Sequence, residues 1–268
     1  MIFDKEAAFE EAVIVVLKQH GWDDAGGVLR YPTEQNLIDN WAKILFQNNA
    51  DIDRLNGCPL TQGEMAQVIE QIETLKTPLA LNGFINGKTV AITRDNPDDA
   101  LHLGKEVSLK IYDRQEIAAG QSRYQIAQQP VYPAKSKILN DRRGDLCLLI
   151  NGMPVIHIEL KRNGVPVSQA TGQIEKYAHE GVFTGLFRLV QIFVAMTPDD
   201  AVYFANPGAD KFNPSYYFHW ADYNNEPICG GQHPGKDEWK LFIGGTSGTA
   251  GIVFWLNHSY SLRGEKEY

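Results

Sequence analysis

Apolar and polar residues change their period along this chain, and each change marks a new element. From residue 6 to 20, Phe9, Val13, Val16, Leu17 and His20 recur at 3.6-residue spacing. That predicts an amphipathic helix stopped at Gly21. On its wheel Glu6 and Glu10 border the apolar stripe and Glu11 points away. From about Asp24 to Pro78 the chain reads as helical and loopy: "LIDNWAKILFQNN", then "LTQGEMAQVIEQIETLK", with Thr61 as N-cap and Glu64 as its capping-box partner. After Pro78 the pattern turns to that of strands, in "GKTVAITR", "VSLKIYD" and "RYQIAQQPVY". The hairpin "GDLCLLINGMPVIHIELK" follows, then a helix, "VSQATGQIEKYAHEG", with Ser168 as candidate cap and Gly181 as stop. "RLVQIFVAM" reads as a buried strand, and "AVYFAN" and "YYFHWAD" as further strands. Beyond about Glu226 a Gly-rich tail has no assignable period. This order predicts an α/β sandwich around a mixed sheet.

The hairpin fixes more than its own shape. In its second strand Ile156, Ile158 and Leu160 share one face and Val155, His157, Glu159 and Lys161 the other. In its first strand Leu146, Leu148 and Ile150 oppose Asp145, Cys147 and Leu149 in the same way. A two-residue Asn151-Gly152 turn would pair Asp145 with Ile158 and mix the two sets. A three-residue loop, Asn151 to Met153, makes a clean aliphatic face and predicts Asp145 beside Glu159, with Lys161 one step further on the same face.

Opposed residues have Cβ atoms roughly 4.5–5.5 Å apart, so two carboxylates placed there repel one another unless a positive group lies between them. A hard divalent cation such as Mg²⁺ fills that role, takes oxygen ligands and leaves coordination sites for water and a phosphate. Lys161 could orient a water or stabilise charge on phosphorus. The chemistry this suggests is metal-assisted hydrolysis of a phosphodiester. The plainer alternative is that Asp145 and Glu159 are strand-end charges paired with Arg143 or Lys161.

Composition changes the picture little. The chain has 268 residues, 43% hydrophobic and 22% charged, as in ordinary globular proteins. It contains no apolar run of membrane-spanning length, and its acidic, amphipathic start is unlike a secretion signal. Cys58, Cys147 and Cys229 are odd in number and far apart, which excludes a C-x-x-C zinc pattern and fits a reducing cytoplasm. A net charge of −8 argues against a protein that coats nucleic acid. Locally the balance reverses: residues 130–165 hold six Lys or Arg against three acids, an excess of +3 around the hairpin.

An Asp followed by a strand ending E-x-K resembles the active-site signature of the PD-(D/E)xK nuclease superfamily. "INGMPVIHIELKRNGVPVSQATGQIEKY", with Gln173 and Tyr177 spaced as Q-x-x-x-Y, is similar to the nuclease region of the restriction (R) subunit of type I restriction–modification enzymes. "GLFRLVQIFVAMTPDDAVYFAN" and the opening "EAAFEEAVIVVLKQHGW" extend the similarity. It implies a restriction-endonuclease-like mixed β-sheet core flanked by helices, over residues 1–226 with a helical insert at about 24–78. It also implies a type I site-specific deoxyribonuclease in which Asp145 and Glu159 bind Mg²⁺ and Lys161 is the catalytic lysine. Gln173 and Tyr177 would support the site or contact DNA. Glu10, or else Glu6, would add a metal contact, direct or indirect. Implied partners are double-stranded DNA and the methyltransferase and specificity subunits of the complex.

Two departures stand out. Gly144 occupies the place where the superfamily usually has proline before the Asp. The tail, 227–268, matches nothing, and "GGTSGTAG" at 244–251 lacks the lysine of a phosphate-binding loop. ATP would enter only through a motor domain not present in this chain. Within enzymes the rival reading is a stand-alone DNA-processing nuclease of the same superfamily. Outside them it is a non-cleaving DNA-binding or assembly module on the same fold. His157 is a candidate third ligand, though a packed core histidine is the commoner case. The five tryptophans have no spacing that makes a base-stacking platform.

Overall fold

The helix-period segments form helices whose apolar stripes are buried. Helix α1 (Glu6–Gln19) buries Phe9, Val13, Ile14, Val16 and Leu17, each stabilising by roughly 1.5–3 kcal/mol relative to exposure. Glu10 is buried with them, where the sequence places it only at the border of the stripe. The structure, a computed structural model, describes residues 3–23, 27–85, 89–111, 122–133, 141–208 and 211–219. The tail after Glu226, Cys229 and the hairpin-flanking Lys135 and Lys137 lie outside the described residues.

After α1 the described elements are β1 (Leu29–Arg30), α2 (Glu34–Asn48), α3 (Gln62–Thr74), α4 (Pro78–Ile85), β2 (Thr89–Thr93), β3 (Glu106–Lys110), β4 (Tyr124–Gln128), β5 (Val131–Tyr132) and β6 (Arg142–Arg143). Then come β7 (Leu146–Ile150), β8 (Met153–Leu160), α5 (Val167–His179), β9 (Ile192–Met196), β10 (Ala201–Ala205) and β11 (Phe218–His219). Seven strands form one mixed sheet in the order β1-β4-β7-β8-β9-β10-β11. Its centre is an antiparallel run, β4-β7-β8, joined to β9 by a parallel pairing across α5. Every residue of β7 and β8 is buried, so this hairpin is the middle of the molecule. Among the described residues no helix is long and apolar enough to cross a membrane.

The segment expected as a helical insert also supplies β1, an edge strand parallel to β4. Its α3 has the expected capping box between Thr61 and Glu64. A buried ion-pair cluster closes the module: Arg94 lies 2.7 Å from Glu64 and 3.0 Å from Asp99, with all three side chains fully covered. Side-chain amides cover the outer edges of the β2–β3 ribbon. Gln67 bonds Thr93 N and O, and Asn49 bonds Lys110 N and O, so neither edge is left as a template for a foreign strand. Helix α5 begins at Val167 behind Pro166, so Ser168 lies inside its first turn rather than capping it.

Candidate active site at the β7–β8 rim

The hairpin turn differs from the expected one, for a local reason. Asn151 (φ 51°) and Gly152 (φ 84°) both adopt left-handed backbone and make a two-residue turn, pairing Ile150 with Met153. A Cβ on Gly152 would come within 2.9 Å of the Trp41 backbone, so no other residue fits there. The register then shifts between Leu148 and Leu149, a bulge at Val155, and Leu148 faces Ile156 and Leu146 faces Ile158. Turn chemistry demands two residues, while burial of the aliphatic set demands the longer register; the bulge satisfies both. Pro154, which has no N–H to donate, sits beside it. Continued by one pair, this register sets Asp145 opposite Glu159.

The three residues singled out from the hairpin do come together. Asp145 Oδ2 accepts from the Leu160 backbone N–H at 2.7 Å. Lys161 Nζ lies 3.2 Å from Glu159 Oε1 and donates to Leu160 O at 2.9 Å. Helix α1 closes the rim: Glu6 Oε1 is 3.9 Å from the same ammonium, while Glu10 accepts from the amides of Gln128 and Gln129. Among the described residues no three of His, Cys, Asp and Glu converge tightly enough to cage a metal by themselves. The pair Asp145–Glu159, with α1 carboxylates behind, is what the rim offers.

Burial sets the electrostatics. Glu159 is fully covered, which pushes its pKa up to about 7 even though Lys161 pulls it down. Half-buried Asp145 is held well above the usual carboxylate range by desolvation and then by Glu159, against the Leu160 N–H and Lys161. Burial raises Glu10 too, with Gln128 and Gln129 opposing. The Glu159 Oε2 atom is buried with no hydrogen-bond partner. A crowded set of hard oxygens, one of them orphaned, fits a divalent cation.

His157 belongs to the packed alternative. It is fully buried, its Nδ1 lies 2.8 Å from Tyr132 Oη, and its Nε2 is 3.5 Å from Glu159 Oε2. Desolvation lowers its pKa to about 4, so it is neutral at pH 7. The same pair explains Gly144: a Cβ there would stand 2.7 Å from His157 Cε1 and 2.8 Å from Tyr132 Oη. Gly144 leaves the space that this packed Tyr–His pair fills.

Gln173 and Tyr177 point at the backbone beside the site. Gln173 Nε2 donates to Tyr177 Oη at 2.7 Å, and that hydroxyl donates to Arg143 O at 2.8 Å. Sequence reasoning missed Tyr132, Gln128 and Gln129. No spacing signal marks them, because each reaches the rim by strand pairing rather than by periodicity. A separate cavity of about 250 Å³, lined by Lys76, Arg188, Gln191 and Asn206, lies near the start of β9. Glu159 is level with Ala195 near that strand's other end, so the carboxylates lie away from this cavity.

Comparison with known proteins shows the family. The family model described as type I restriction enzyme R protein N terminus matches residues 4–212. A type I restriction enzyme endonuclease subunit of Staphylococcus saprophyticus is 31% identical over 228 residues, 85% of this chain and 22% of that protein. One from Staphylococcus aureus is 28% identical over the same shares. The EcoprrI endonuclease subunit of Escherichia coli is 37% identical over 89 residues, 32% of this chain and 28% of its own. The chain therefore spans about a fifth of the length of the first two curated relatives. With a family match over more than half of its residues, this chain belongs to the N-terminal family of type I restriction enzyme R proteins.

Proposed function

We propose that this chain is the DNA-cleaving portion of a type I restriction R subunit. Asp145 and Glu159 would hold a divalent cation, and their hard carboxylate oxygens favour Mg²⁺. When bound, the ion would neutralise the paired carboxylates and polarise a phosphate oxygen or a water. The chain's own contributions are separate. The Leu160 N–H fixes Asp145, burial keeps water from most of Glu159, and Lys161 stands ready to stabilise negative charge on the phosphate as water attacks. Water's oxygen bonds to phosphorus as an ester P–O bond breaks, and a proton ends on the departing oxygen. Glu10 would support a bound cation through its charge, which Asp145 already feels. Gln173 and Tyr177 support the site through Arg143.

The observation that carries this reading is the desolvated Asp145–Glu159 pair with Lys161 Nζ 3.2 Å from Glu159 Oε1, the other Glu159 oxygen having no hydrogen-bond partner. The relatives' names, endonuclease subunits of type I restriction enzymes, support a nuclease working in a multi-subunit enzyme; double-stranded DNA as substrate and methyltransferase and specificity subunits as partners are what the sequence resemblance implies. The test is Mg²⁺-dependent nicking of plasmid DNA by the parent and by Asp145→Ala, Glu159→Ala and Lys161→Ala. Loss in all three variants is expected; cleavage by all three at the parent's rate sinks the assignment. Because this chain spans about a fifth of its relatives' length, metal titration by calorimetry runs beside it. Binding by the parent and none by Asp145→Ala is expected, and equal binding by both would remove Asp145 from the site.

A further inference from the structure

Two residues at this rim hold backbone conformations that side-chain-bearing residues avoid. Tyr31 (φ 53°) follows β1 and Gln129 (φ 48°) follows β4. They are neighbours, since Arg30 pairs with Gln128. Such strain persists only where the surroundings enforce it, and it gathers at functional positions. Gln129 has a visible use: its backbone N–H donates to Asp145 O at 2.7 Å and its amide holds Glu10. The Tyr31 backbone N–H likewise donates to Gln128 O at 2.8 Å, but its side chain, unlike that of Gln129, holds no carboxylate of the rim. Tyr31 is 52% exposed, with the Arg143 guanidinium carbon 6.0 Å from its ring centroid.

Arg143 is unlike the arginines around it. Arg142 is bound twice to Glu180, at 2.7 and 2.9 Å, and Arg30 is bound to Glu11 at 2.9 Å. Exposed Arg143 makes no ion pair among the described residues, although its backbone is tied down. It pairs with Val131 across β5–β6, and its carbonyl accepts from Tyr177 Oη. A guanidinium laid on an aromatic face keeps its N–H edge free, and that edge matches phosphate oxygens. The anchored, unpaired cation stands two residues before Asp145.

We propose that Tyr31 and Arg143 form a clamp for the sugar–phosphate backbone of duplex DNA, with Arg143 taking a phosphate next to the one cleaved and the Tyr31 ring packing on its sugar. The clamp rests on the reading of this rim as a DNA-cleaving centre. It also gives Gln173 and Tyr177 a stated task, as positioning residues that hold Arg143 where the duplex arrives.

The test measures binding of a short labelled duplex to the 268-residue chain by fluorescence anisotropy across a salt series, with Ca²⁺ replacing Mg²⁺. Arg143→Ala is expected to weaken binding several-fold and to lower the magnitude of the slope of log K against log salt by about 0.9, the value of one lost phosphate contact. Arg143→Lys keeps the slope. Tyr31→Asn removes the ring while tolerating the left-handed backbone, and it weakens binding; Tyr31→Phe binds as the parent does. An Arg143→Ala variant with the parent's affinity and slope overturns the clamp, as does a parent that binds no duplex. Metal calorimetry separates the two readings. Metal binding that needs Asp145, with DNA binding indifferent to Arg143, leaves the cleaving centre and removes the clamp. DNA binding that needs Arg143, with no metal bound, does the reverse.

Discussion

Raising the pH from 6 to 8 should tighten Mg²⁺ binding about tenfold through Glu159 alone. The metal takes the ionised carboxylate, and burial lifts this group's pKa to about 7. Its ionised fraction thus climbs from about a tenth at pH 6 to about nine-tenths at pH 8, a difference of about 1.4 kcal/mol in binding. Asp145, raised in the same direction, steepens the low-pH side. Titration calorimetry at pH 6, 7 and 8, in two buffers of different protonation enthalpy, reads both the affinity and the protons released. About half a proton should leave Glu159 at pH 7. For metal-free protein the sign of the stability effect follows from the same shift. The folded carboxyl keeps a proton that the unfolded chain, titrating near its ordinary value of 4.5, gives up. Stability is therefore greatest below about pH 4.5 on this account and falls by roughly 3 kcal/mol as pH rises to about 7. An affinity flat across pH 6–8, with no proton release, would refute the claim that desolvation governs this site.

Other perturbations follow from the same geometry. Lys161→Met removes the cation 3.2 Å from Glu159 and should move the metal-binding pH profile upward; a profile that stays in place would deny their coupling. Gly144→Ala forces a methyl group against His157 and Tyr132, and should cost about 1–3 kcal/mol in urea unfolding. Arg94→Met leaves Glu64 and Asp99 buried without their partner and should destabilise by roughly 3–5 kcal/mol, visible as a lowered Tm. Tyr177→Phe loses the bonds to Arg143 O and Gln173, about 1 kcal/mol, and should weaken DNA binding more than that stability change explains.

The aliphatic alternation of Leu146, Leu148, Ile156, Ile158 and Leu160 was enough, before any coordinates, to place Asp145, Glu159 and Lys161 on one face. Period-two patterning is a local property with a global consequence, because a slipped register would bury charge. The Thr61–Glu64 capping box was legible for a like reason: cap and partner lie three residues apart and complete the motif themselves. The turn was not legible. Asn151-Gly152 carries a strong local preference for two residues, the core wants the longer register, and only the assembled sheet reveals a bulge that reconciles them.

Long-range pairing decided the rest. Glu10 sits on Gln128 and Gln129, more than a hundred positions away, because α1 crosses the end of β4. Tyr132 meets His157, and Tyr31 meets Arg143, through strand neighbours that no periodicity announces. Sequence alone determined which residues could share a face, since side-chain direction along a strand repeats every two residues whatever surrounds it. Tertiary structure decided how deeply each was buried and what lay opposite, and hence which carboxylates keep their protons. Desolvation depends on atoms brought in from distant parts of the chain.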